Sequence, residues 1–170
     1  MTRKRFDNRD TPFGNWIRNN SKLMSSLGFD FQDLDHIYPN DFDDKNSKHK
    51  VYINHQFLHG RLMFIEEKQF KAQRTMSQRD TFGILDQWCK YADGIDVKRV
   101  IDDRPTTVIY WGWFVIQLER QSPEDGKVWI NGKSASIYEL EQLLLFSPKM
   151  RNKFRMSDAA EIVRDENEQD

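Results

Sequence analysis

The sequence predicts a mixed α/β (α+β) fold, a central mixed β-sheet flanked by helices. Three observations predict it. Apolar residues recur at helical spacing in some segments and alternate in others, in the order helix, strands, helix, strands, helix. The segment Thr106–Leu118 is apolar on both of its alternating faces, as a strand in the middle of a covered sheet has to be. The chain is 38% hydrophobic and 31% charged, yet 12 Phe and 5 Trp give a core its bulk, which excludes global disorder. A length of 170 residues fits one domain.

The elements follow in order. Residues 1–10 are charged and without periodicity, and read as a flexible arm. Thr11 then Pro12 is a helix start, with Thr as N-cap and Pro at the first helical position. Phe13, Trp16 and Ile17 lie on one face of that short helix, which Asn19, Asn20 and Ser21 end. Phe29–Tyr38 alternates, with Phe31, Asp33 and Asp35 on one face, and reads as a strand. Asn40–Lys50 is a polar loop, Val51–Phe57 a strand, and His59-Gly60 a turn. Arg61–Phe70 alternates strongly: Leu62, Phe64, Glu66 and Lys68 share one face, Met63, Ile65 and Glu67 the other.

Ser77 with Asp80 three residues on predicts a capping box. The helix it opens runs Phe82, Leu85, Cys89 and Ala92 down one face, widened by Ile84, Trp88 and Tyr91, and reads as well buried up to Gly94. After Thr106–Leu118, Pro123–Gly126 turns the chain and Lys127–Asn131 pairs back. Asn131-Gly132 signals a tight turn. Ser136 and Glu139 form a second capping box, for a helix through Phe146 that Pro148 ends.

Several classes are excluded or disfavoured. No apolar run reaches the ~18–20 residues of a membrane span. The charged first residues lead into no apolar stretch, so they do not read as a secretory signal. The single cysteine, Cys89, excludes an internal disulfide and suits a reducing, cytoplasmic setting. The net charge of −1 divides unevenly. Asp158–Asp170 carries six acids against Arg164, so residues 1–157 are net +4. That balance permits a nucleic-acid partner without demanding one.

Candidate chemistry lies where strands turn polar. The face that begins Leu62, Phe64 ends in Glu66 and Lys68, and has either to emerge into solvent or to line a polar cleft. The strand at Phe31, Asp33 and Asp35 does the same and is expected to be its neighbour. Two carboxylates on adjacent strands with a lysine beside them suit a hard divalent cation such as Mg²⁺. A charged strand end in so charged a chain is the plain alternative. The next helix begins nine residues later, with Gln78 and Arg79 in its first turn, where free N–H groups suit a phosphate. Lys149, Arg151, Lys153 and Arg155 alternate with Met150, Asn152 and Phe154 and offer a phosphate-backbone grip or a solvated segment. His36, His49, His55 and His59 lack a full zinc spacing.

Asp33-Leu34-Asp35, the strand from Leu62 to Lys68 and the helix start Ser77–Thr81 resemble the PD-(D/E)xK nuclease superfamily. With Phe13, Gly14, Trp16, Ile17 and Arg18 in the first helix, they resemble its small members from phages and environmental viruses. The resemblance spans about residues 11–92. It implies a restriction-endonuclease-like core and a metal-dependent endonuclease or related nuclease hydrolysing DNA. It implies Asp35 and Glu66 as metal ligands (Asp33 being the alternative to Asp35), Lys68 as the catalytic lysine and Gln78 as the polar residue of the following helix. Mg²⁺ is the expected cofactor, with Mn²⁺ as substitute, and DNA the expected partner, with a homodimer possible. Arg79, Lys149, Arg151, Lys153 and Arg155 are the candidate nucleic-acid contacts. The chain departs from the pattern in having Leu34 rather than Pro before Asp35, and 30 residues between Asp35 and Glu66. A non-catalytic nucleic-acid-binding or viral accessory protein on the same fold is the alternative. The expected division is an arm at 1–10, a nuclease-like domain at 11–147, and a basic segment with an acidic tail at 148–170.

Overall fold

The computed structural model describes residues 11–23, 29–33, 49–56, 59–69, 76–99 and 102–155. The arm at 1–10, the acidic tail and Asp35 lie outside them.

The first helix, α1 (Pro12–Asn19), begins where the sequence placed it. Thr11 caps it, its hydroxyl accepting the Gly14 N–H. A 3-10 turn at Ser21–Leu23 follows. Three strands, β1 (Phe29–Asp33), β2 (His49–Gln56) and β3 (Arg61–Gln69), form an antiparallel meander. Gly60, at φ +63°, makes the β2–β3 turn; a Cβ there would meet the Thr107 carbonyl oxygen at 2.2 Å, so only glycine fits.

The chain then crosses over through α2 (Met76–Ala92) to β6 (Ile109–Leu118), which pairs with β3 in parallel. Antiparallel strands can be joined by a tight turn, whereas a parallel pair needs such a crossover. The crossover also carries a small hairpin, β4 (Asp96–Lys98) with β5 (Pro105–Thr107), which the sequence pattern did not signal. Thr106 and Thr107 therefore leave the long apolar strand and join this hairpin. The chain returns through β7 (Val128–Ile130) and β8 (Lys133–Ala135). Asn131 and Gly132 join them, both at positive φ, as a type I′ turn requires. The result is a six-stranded mixed sheet in the order β1-β2-β3-β6-β7-β8, flanked by helices.

The two faces of the sheet are unequal. Met63, Ile65, Trp111, Phe114, Ile116, Leu118, Val128 and Ile130 form the first face, covered by α1, α3 (Ile137–Leu144) and α4 (Pro148–Phe154). Phe64, Tyr110 and Trp113 belong to the second face, where Phe82 of α2 packs on them. Trp111 reaches the first face because β6 shifts register by a bulge opposite Leu62/Met63.

Three expectations are corrected. Ser77 falls inside the first turn of α2, which begins at Met76. That helix is not buried all round: Phe82 is enclosed, but Ile84, Trp88 and Tyr91 face outward, because one sheet face can cover only one side of a helix. Pro148 opens a helix as well as following one, and Met150 and Phe154 enter the main core, so the packed unit runs past residue 147. The capping box at Ser136 and Glu139 is present as expected. No helix among the described residues is long and apolar enough to cross a membrane.

Candidate active site

Glu66, Glu67 and Lys68 end β3, and all three are buried. They neither emerge into solvent nor share one environment, because a strand sends successive side chains to opposite faces.

Glu67 points to the first face. Its Oε2 accepts the Thr11 hydroxyl at 2.6 Å and the Tyr52 hydroxyl at 2.8 Å. Thr11 thus caps α1 and ties it to β3 with the same oxygen, while Tyr52 ties in β2. The cap was legible in the sequence; that it held a buried glutamate was not.

Glu66 and Lys68 lie on the second face, with the Lys68 Nζ 3.5 Å from the Glu66 Oε1. Their register partners are Val51 and His49 on β2, and Val115 and Gln117 on β6. This is the carboxyl end of the parallel β3–β6 pair, the place where open α/β sheets hold ligands. The contacts of α2 run backwards along that pair. Phe82 packs on Trp113, Asp86 accepts the Tyr110 hydroxyl at 2.6 Å, and Asp93 accepts the Tyr110 N–H at 2.8 Å. The first turn of α2, holding Gln78 and Arg79, therefore lies toward the Glu66 and Lys68 end.

Asp33 is placed differently from the expectation. Its strand is not the neighbour of β3, because β2 lies between them. Position 33 pairs with Tyr52, and Tyr52 with Ile65, so it falls on the pleat of Glu67 rather than that of Glu66. Pattern alone gives a strand its faces but not its neighbours.

The basic residues at 149–155 separate as well. Alternation would align them on a strand, but α4 is a helix, where residues two apart point to different sides. Arg151 is committed to the protein. Its Nε and Nη2 donate to the Trp111 and Tyr110 carbonyls at 3.0 Å each, and its guanidinium lies 4.8 Å from the Trp111 ring centroid. Burial, with Arg155 nearby, lowers its pKa from the ordinary arginine value. Lys153 pairs with Glu139 of the capping box. Lys149 and Arg155 are exposed. Helix α4 packs on the first face, so the sheet separates these cations from Glu66 and Lys68.

Cys89 is half-buried, and burial and then Asp86 push its thiol pKa up, the opposite of an activated nucleophile. Tyr110 is likewise raised, by burial first and then by its hydrogen bond to Asp86.

Among the described residues no group of three or more His, Cys, Asp or Glu side chains is gathered as a metal cage. Mg²⁺ does not require one: it is commonly held by one or two carboxylates, with water and substrate phosphate completing its shell. Glu66 offers one carboxylate, enclosed and paired with Lys68. Comparison with protein-family models, with curated proteins and with solved structures gave no match.

Proposed function

We propose that the protein is a Mg²⁺-dependent deoxyribonuclease with a restriction-endonuclease-like core and its active centre at Glu66 and Lys68. One observation carries this reading: a carboxylate and an ammonium are buried on one pleat at the carboxyl end of a parallel strand pair, toward a helix N-terminus. Burying an ion pair in this way contributes little stability against an apolar pair of similar volume, which favours a chemical reason for it.

In this reading Glu66 is the metal carboxylate, with Gln78 positioning substrate and Arg79 contacting phosphate. A bound Mg²⁺ would lower the pKa of a water and offset charge at the scissile phosphate. Lys68 has two tasks. Its ammonium orients the attacking water, and it stabilises the charge that grows on the phosphoryl oxygens. The first turn of α2 offers N–H groups to a flanking phosphate. A cytoplasmic setting and DNA as partner belong to this reading, with Lys149 and Arg155 as the outlying phosphate contacts. A second reading, a non-catalytic nucleic-acid-binding protein on this fold, draws support from the Glu66–Lys68 pair itself, since each charge there offsets the other.

The test is Lys68→Ala, with single-turnover cleavage at saturating Mg²⁺ measured beside DNA binding in Ca²⁺. The expected result is a loss of about a hundredfold or more in rate with affinity little changed, because only the transition state uses that charge fully. Cleavage near the wild-type rate removes Lys68 from the chemistry. No cleavage by wild type under any divalent cation, with binding retained, establishes the second reading.

A further inference from the structure

We infer that the outer face of α2 is the contact surface between two copies of this chain. Ile84 is 50% exposed, Trp88 66% and Tyr91 82%, and Ile95, just beyond the helix, is 51% exposed. Residues of this size are seldom left open together on one stripe. Within the helix Ile84, Trp88 and Tyr91 are spaced four and three residues apart, and Ile95 lies just past its end. That is the spacing of a helix–helix seam, narrower than the stripe of a helix lying on a sheet. The inner side of α2 is already used by Phe82, which packs on Phe64 and Trp113, so the stripe is a second apolar face.

The size of the patch fits a second copy. Fully covered aromatic side chains bury roughly 150–250 Å² each, so at these exposures Trp88 and Tyr91 with the aliphatic side chains present about 500 Å² of apolar surface. A stable interface needs about 800 Å² per partner, an apolar centre inside a polar rim, and the patch supplies that centre.

Charge points to the same occupant. A two-fold contact places each residue type opposite its own surface, so an unbalanced charge beside the seam would repel itself. Here Asp86 and Lys90 pair within the helix at 2.6 Å. Gly83 and Gln87 flank the stripe without charge, and beside Gly83 there is open space in which a second helix can approach. Among the described residues of α2, the stripe itself carries no charge. The geometry suits two α2 helices packed side by side about a two-fold axis, with the indole of Trp88 at the centre.

The experiment is analytical ultracentrifugation of the full chain over a wide concentration range, with Trp88→Glu and Tyr91→Glu beside the wild type. Both side chains are exposed in the single chain, so the variants are expected to keep the wild-type far-UV circular dichroism and thermal midpoint at low concentration. The wild type is expected to form a dimer, and each variant to weaken it roughly thirtyfold or more, as loss of an interface hot spot does. Acrylamide quenching of tryptophan emission is expected to fall with concentration in the wild type, as the indole becomes covered, and to stay constant in Tyr91→Glu. A monomer throughout the range overturns the inference, and so does a dimer that both variants leave intact. If Trp88→Glu does not fold, Tyr91→Glu decides. None of these readings depends on nuclease activity.

Discussion

Glu66 and Glu67 are consecutive residues of the same type, both buried, and they belong to different halves of the molecule. Glu67 enters the main core and is held there by two hydroxyl donors, one from the cap of α1 and one from β2. Glu66 enters the thinner layer under α2, where its neighbour is the Lys68 ammonium. The difference teaches that burial alone does not identify a reactive carboxylate. The first carboxylate adds a polar tie between α1, β2 and β3. The second is paired with an ammonium two residues along the same pleat, at the carboxyl end of the parallel β3–β6 pair.

The largest effect that tests this contrast is on stability. Glu67→Ala is expected to lower unfolding free energy by about 2 kcal/mol, since it removes the acceptor shared by the Thr11 and Tyr52 hydroxyls, which lie 2.8 Å apart and can then satisfy only one of their two protons between them. Replacing Glu66 and Lys68 together, by Glu66→Gln with Lys68→Met, is expected to abolish cleavage while destabilising less than Glu67→Ala does, because a buried ion pair replaced as a unit costs less than the loss of one partner. Urea unfolding of both variants makes the comparison. A double variant as unstable as Glu67→Ala would make both carboxylates structural.

A second test concerns the basic helix. Arg151→Ala is expected to cost about 2 kcal/mol, through two carbonyls at the β6 bulge and the stacking on Trp111, whereas Lys149→Ala stays within about 0.5 kcal/mol. The salt dependence of DNA affinity sharpens it. Loss of a phosphate contact flattens the slope by about 0.9. Lys149→Ala or Arg155→Ala is expected to show that change, and Arg151→Ala to leave the slope as it was.

The smallest effect is on pH dependence. The Lys153 ammonium, and then the Ser136 backbone N–H, hold the Glu139 carboxyl below its ordinary value of 4.5. A carboxyl lowered by folding adds stability that is present above the unfolded value and is lost as pH falls through the folded one. Lys153→Met is therefore expected to reduce stability at neutral pH by a few tenths of a kcal/mol and to leave it unchanged in strong acid. Thermal midpoints measured across that range read the difference. A gap that persists in strong acid would assign Lys153 a packing role instead.

The sequence by itself determined what depends on neighbours a few residues away. Thr11 and Pro12 placed the start of α1, Ser136 and Glu139 that of α3, and Asn131-Gly132 the tight hairpin, because caps and turns are satisfied within one turn of backbone. The alternation of Arg61–Phe70 likewise separated Glu66 and Lys68 from Glu67. Tertiary structure alone decided what depends on distant partners. It put β2 between β1 and β3 and so set Asp33 apart from Glu66, because strand pairing is chosen by packing across the whole sheet. It turned the alternating Lys149–Arg155 into a helix whose cations serve different sides, because Met150 and Phe154 pack into the core from a helix, on which residues two apart diverge. It left Trp88 and Tyr91 uncovered, because the apolar residues of α2 encircle the helix more widely than one sheet face can cover.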